Sequence, residues 1–104
     1  MPSDPKQVQI QVEIPADLTA TYSNLAMISH TPSEVFIDLA SILPNVTKTQ
    51  IHTRLVMTPM NAKLLQRALA ENLRRFEAQF GEIKTPATGI NTNFTNTNGS
   101  ANGQ

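Results

Sequence analysis

Between Val8 and Ile14 apolar and polar residues alternate without a break: Val8, Ile10, Val12 and Ile14 against Gln9, Gln11 and Glu13. A period of two belongs to a strand with one buried face, so this stretch predicts a first strand. Pro15 ends it, and Ala16-Asp17 predicts a turn. Thr19 to His30 predicts a second strand with looser alternation, placing Tyr22, Ala26 and Ile28 on one side and Leu25 and Met27 on the other. Thr31-Pro32 predicts the next turn, since proline fixes φ and has no N–H for a ladder. Glu34 to Leu43 predicts a third strand, stopped by Pro44-Asn45 and followed by a polar loop, Asn45 to Thr49. Gln50 to Met57 predicts a fourth, with Ile51, Leu55 and Met57 on one face. Short connections between consecutive strands favour an antiparallel meander.

At Thr58-Pro59 the period changes. Thr58 can cap a helix with its hydroxyl, and Pro59 suits the first helical position, where its missing N–H costs nothing. Ala62, Leu65, Leu69, Leu73, Phe76 and Phe80 recur at steps of three and four, one face of an α-helix widened by Leu64 and Ala68. Glu71 and Arg75 form a favourably oriented pair four residues apart, and Gly81 supplies the stop. Such a helix is ~33 Å long, a match for strands of eight or nine residues at ~28 Å. The expected fold is α+β: a four-stranded antiparallel meander followed by one long helix packed on one face of the sheet. The domain is expected over residues 8–82, after a loose arm at 1–7 and before a disordered Asn/Thr/Gly-rich tail at 83–104, where Ile90 and Phe94 are too few apolar groups to offset the ordering entropy.

The third strand is apolar on both faces. Val35, Ile37 and Leu39 point one way, toward the expected helix. Phe36, Ala40 and Ile42 point the other way, interrupted by Asp38 and joined by Val56 of the fourth strand. One helix covers one face. A small domain with an uncovered apolar face predicts an interface, and a second copy of the chain is the simplest occupant, because symmetric homo-oligomers are the commonest assemblies. Phe36, Asp38, Ala40, Ile42, Arg54 and Val56 are the expected interface residues. With strands three and four paired about the Asn45–Thr49 loop, Asp38 falls opposite or diagonal to Arg54, either as a plain cross-strand ion pair or as a polar specificity element in the interface.

Composition narrows the classes of partner. Eight basic and eight acidic residues cancel in a chain of 104, which argues against nucleic acid and anionic membranes. Lys63, Arg67, Arg74 and Arg75 share their helix with Glu71 and Glu77, as a solvated face does. The absence of cysteine excludes disulfides, thiolate metal sites and cysteine nucleophiles. The first residues form no apolar signal core, and no run reaches the ~18 apolar residues of a membrane span, so a cytoplasmic protein is expected. His30 and His52 lack the further ligands of a metal site. Ser29-His30 and Ser33-Glu34 are neighbours in sequence without a nucleophile elbow. Neither cofactor nor catalytic residue is expected.

Tyr22-Ser23-Asn24, the His30-to-Phe36 turn and strand, and Val56-Met57-Thr58-Pro59 with Ala62-Lys63 resemble a family of small bacterial proteins known as a domain of unknown function, the 3467 family. The resemblance spans roughly residues 8–82 and implies a bacterial, cytoplasmic protein, with no activity to carry over. By architecture alone, four strands and a helix also look like the export chaperone SecB. The leading expectation is a non-enzymatic interaction or scaffold module acting as a homo-oligomer. The alternatives are a chaperone-like module for unfolded peptides, or an enzyme or ligand-binding subunit whose site forms between protomers.

Overall fold

A computed structural model describes residues 8–86. The arm expected at 1–7 and the expected tail beyond residue 86 lie outside the described residues. The chain divides into two units, one ending at Ala62 and one beginning at Lys63.

The first unit holds an antiparallel sheet of three strands: β1 (Leu25–His30), β2 (Val35–Ala40) and β3 (Thr53–Met57), in that spatial order. The β1–β2 turn is built by Thr31. Its N–H donates to the Glu34 carbonyl at 2.8 Å, and its hydroxyl accepts from the N–H groups of Ser33 and Glu34. Pro32 sits at the turn position its ring prefers. After β2, Pro44 precedes Asn45 at φ +63°, and Val46 donates back to the Leu43 carbonyl. That is a proline-then-left-handed turn, and asparagine tolerates the left-handed residue.

The register sorts the side chains into two faces. Leu25, Met27 and Ser29 stand opposite Ala40, Asp38 and Phe36, which stand beside Arg54 and Val56; this is the front face. Ala26, Ile28, His30, Val35, Ile37, Leu39, Thr53, Leu55 and Met57 form the back. Among the described residues Ala40 and Asp38 are buried, and both lie on the front.

Among the described residues the sheet has three strands and not the expected four. Val8 to Ile14 forms no strand and buries nothing: its four apolar side chains are 74–85% exposed. The local pattern is right for a strand, but a strand also needs an edge to bond to, and alternation cannot supply one. The other three strands match the remaining expectations with shorter bounds.

The helix α1 spans Pro59–Phe80, as its period predicts. The Thr58 hydroxyl accepts from the Asn61 N–H at 3.2 Å and its carbonyl from Ala62, so Thr58 is the cap. Gly81 follows at φ +102°, a conformation that favours glycine even though a side chain there would meet open space. Phe76 and Phe80 stack at 4.9 Å between ring centroids. Within its own unit α1 buries none of its residues, and Leu65, Leu69, Leu73, Phe76 and Phe80 are all exposed.

Candidate functional site

The front face carries the residues expected at an interface. Asp38 is directly opposite Arg54 on β3. Arg54 donates to both carboxylate oxygens, from Nε at 2.6 Å and from Nη2 at 2.9 Å. Strand pairing brings the two Cβ atoms close, and the planar guanidinium matches the carboxylate fork. The pair is asymmetric: the Asp38 side chain is 2% exposed and that of Arg54 is 56% exposed. The hydrogen bond to Asp38, and then its charge, raise the Arg54 pKa further above its ordinary value. The guanidinium also lies over the Phe36 ring, 5.2 Å from its centroid, within cation–π range. Phe36, Arg54 and Asp38 thus form one linked group. Of the six expected residues, Phe36, Arg54 and Val56 offer side-chain surface, whereas Asp38 and Ala40 are enclosed within the chain. Ile42 lies beyond the end of β2.

Beyond β2 the sheet is closed by side chains in place of a ladder. Asn24 Nδ2 donates to the Ile42 carbonyl at 3.0 Å, while Asn24 Oδ1 accepts from the Ile42 N–H at 2.7 Å. The amide thus imitates a backbone unit. The Ser23 hydroxyl lies 2.9 Å from the Ala40 carbonyl and 3.0 Å from that of Leu25. Ser41 Oγ donates to the Tyr22 carbonyl at 2.9 Å. These bonds hold the chain where it enters β1. Sequence inspection marks Tyr22-Ser23-Asn24 without showing why, because the partners lie 17 to 19 residues away.

Ser41 and His52 form the one serine–histidine contact among the described residues, at 3.3 Å. It is not arranged as a nucleophile and base. A hydroxyl has one hydrogen, and that of Ser41 goes to the Tyr22 carbonyl. His52 Nε2 therefore donates to Ser41, and its Nδ1, 2.7 Å from Thr53 Oγ1, accepts the threonine hydrogen. A general base needs the opposite protonation at Nε2. His30 ends β1 opposite Val35, whereas His52 bonds to the Leu39 backbone, four residues farther along β2. That separation is ~13 Å, and the two histidines do not share a site. Among the described residues no three histidine or acidic side chains gather around a point.

On α1, Glu71 accepts from Arg74 Nε and Nη2 and from Arg75 Nε. The Arg74 bond holds the Glu71 carboxyl below its ordinary pKa, against an upward push from desolvation. No helix among the described residues is long and apolar enough to cross a membrane.

The sequence profile of a family described as protein of unknown function (DUF3467) matches residues 1–85. The chain belongs to this family. The match takes in Val8–Ile14, the sheet and α1, and the DUF3467 description assigns no activity to any of them. No curated protein and no solved structure matches the chain. The likeness to SecB rested on four strands before the helix, and the described residues hold three.

Proposed function

We propose that the chain is a non-enzymatic interaction module that works as a homo-oligomer. One observation carries this reading: the two longest amphipathic patterns in the sequence, Val8–Ile14 and the α1 stripe, are both open to water. Alternation and heptad-like spacing place apolar groups for burial, and a large exposed apolar surface marks an interaction site. Fully burying one such aliphatic side chain is worth about 1.5–3 kcal/mol, and the single chain leaves most of that unrealised. The neutral charge balance fits a protein partner better than a polyanion. Phe36, Arg54 and Val56 offer further side-chain surface on the front face of the sheet, with Asp38 fixing the Arg54 geometry from beneath.

Sedimentation equilibrium of the full chain across micromolar concentrations tests the reading. A reversible dimer or larger closed assembly is expected. A monomer throughout contradicts it. Saturable binding of a denatured polypeptide by the assembled protein replaces scaffold with chaperone as its role.

A further inference from the structure

The open segment Val8–Ile14 and the open edge of β1 belong to the same unit but do not meet, and the turn between them explains why. Leu18 N–H donates to the Pro15 carbonyl at 3.1 Å, fixing a tight turn at Ala16-Asp17. A hairpin closed by that turn would set Ile14 opposite Thr19, Ile10 opposite Ser23 and Val8 opposite Leu25. Within one chain, then, the segment reaches β1 only at its first residue. No antiparallel hairpin closed by that turn lays it along Leu25–His30. None of its backbone groups bonds to another described residue.

The edge of β1 is correspondingly bare. The sheet order makes β1 and β3 the two edges. β3 carries Arg54, and it runs within one residue of the α1 cap. β1, with the sequence Leu-Ala-Met-Ile-Ser-His, has no lysine, carboxylate, proline or bulge to discourage a further strand. On the back face Ile28 is 68% exposed, with Ile37 and Leu55 beside it in the same row.

We infer that Val8–Ile14 is an exchanged strand: it adds to the β1 edge of a second copy, and the second copy returns its own. This rests on the homo-oligomer reading and specifies its contact. The lengths agree, seven residues against six. Val8, Ile10, Val12 and Ile14 continue the apolar row of the back face beyond Ile28. Gln9, Gln11 and Glu13 fall on the front beside Met27 and Ser29. Fully extended, a stretch as long as Thr19 to Asn24 spans about 20 Å, and the bonds at Ser23, Asn24 and Ser41 anchor its end where it enters β1. In a twofold pair each copy gives one strand and receives one.

Proline blocks a ladder bond only where the N–H points at the partner, and this alternates along an edge strand. Gln11→Pro and Val12→Pro therefore form a complementary pair, and one of them must remove a bond. Neither disturbs a bond within the chain. Sedimentation of both variants beside the wild type is the test. At least one should weaken the dimer by 100-fold or more while the helical signal at 222 nm persists. A wild-type dimer that neither proline weakens overturns the exchange and leaves the oligomer reading standing. A monomeric wild type overturns both. The edge is read separately. The chain has no cysteine, so Val12→Cys copies mixed with Ile28→Cys or Leu55→Cys copies can be joined by a short flexible thiol cross-linker. Joining to Ile28→Cys copies is expected, and joining only to Leu55→Cys copies overturns the assignment to β1.

Discussion

Val8–Ile14 and Val35–Ala40 are both strand-like by residue type, and the molecule treats them in opposite ways. β2 is bonded on both edges and holds Asp38 and Ala40, the two buried residues among those described. The N-terminal segment has the cleaner alternation of the two, yet it is bonded to nothing described and is exposed along its length. Alternation reports which face is to be buried; it does not report where the partner strand comes from. For β2 the partners arrive through the short turn after His30 on one side and the connection over residues 41–52 on the other. For Val8–Ile14 the turn at Pro15–Leu18 points it at the wrong stretch of its own chain.

The sharpest way to break this comparison is to place one charge in each region. Ala40→Asp puts an unpaired carboxylate where the chain is fully closed, and such burial is strongly unfavourable in a domain this small. Loss of the sheet signal in circular dichroism at 25 °C is expected. Ile10→Asp should keep the signal of the three-stranded unit, losing only the share of the exchanged strand, and lower the sedimentation mass. Equal damage from both would show that the segment is already part of the folded unit.

A smaller effect separates the closed region from its exposed rim. Arg54→Met takes both donors from a buried carboxylate, and thermal unfolding should fall by on the order of 10 °C. Arg54→Lys should recover only part of that, because an ammonium cannot make the two-pronged contact. Asp38→Leu added to Arg54→Met should recover more, since an apolar pair leaves no stranded charge. If Arg54→Met is neutral in thermal scans, the pair contributes nothing to the sheet.

Thr58→Ala provides a scale at the start of α1. It removes the acceptor for the Asn61 N–H and should cost about 1 kcal/mol in urea unfolding, with Thr58→Ser near neutral. The smallest effect is a pH dependence. The Glu71 pKa is lowered in the folded chain. Its contribution is therefore present above the ordinary glutamate value of about 4.3 and is lost as pH falls through the lowered folded value. The Arg74 and Arg75 contacts are exposed, so a slight loss of helicity at 222 nm below about pH 4 is expected, absent in Glu71→Gln.

Much of this was legible from residues alone because it is local. The α1 bounds follow from Thr58, Pro59, the 3.6-residue period and Gly81, all within a few residues of what they control. Asp38 opposite Arg54 follows from counting across one loop. The Ser41–His52–Thr53 chain and the Asn24–Ile42 clasp were not legible, because a serine or asparagine side chain does not announce which distant backbone group it will meet. The missing strand is a different failure: the alternation at Val8–Ile14 is real, but alternation does not say whether an edge is there to pair with, and none of the described strands pairs with it.

The central claim is that Val8–Ile14 is a strand completed by a second copy. Amide hydrogen exchange at Gln9 to Glu13, measured over a range of protein concentrations, tests it most directly. Slow exchange at high concentration that becomes fast on dilution, in step with dissociation of the dimer, is the expected result. Fast exchange at every concentration, with the dimer intact, would contradict it.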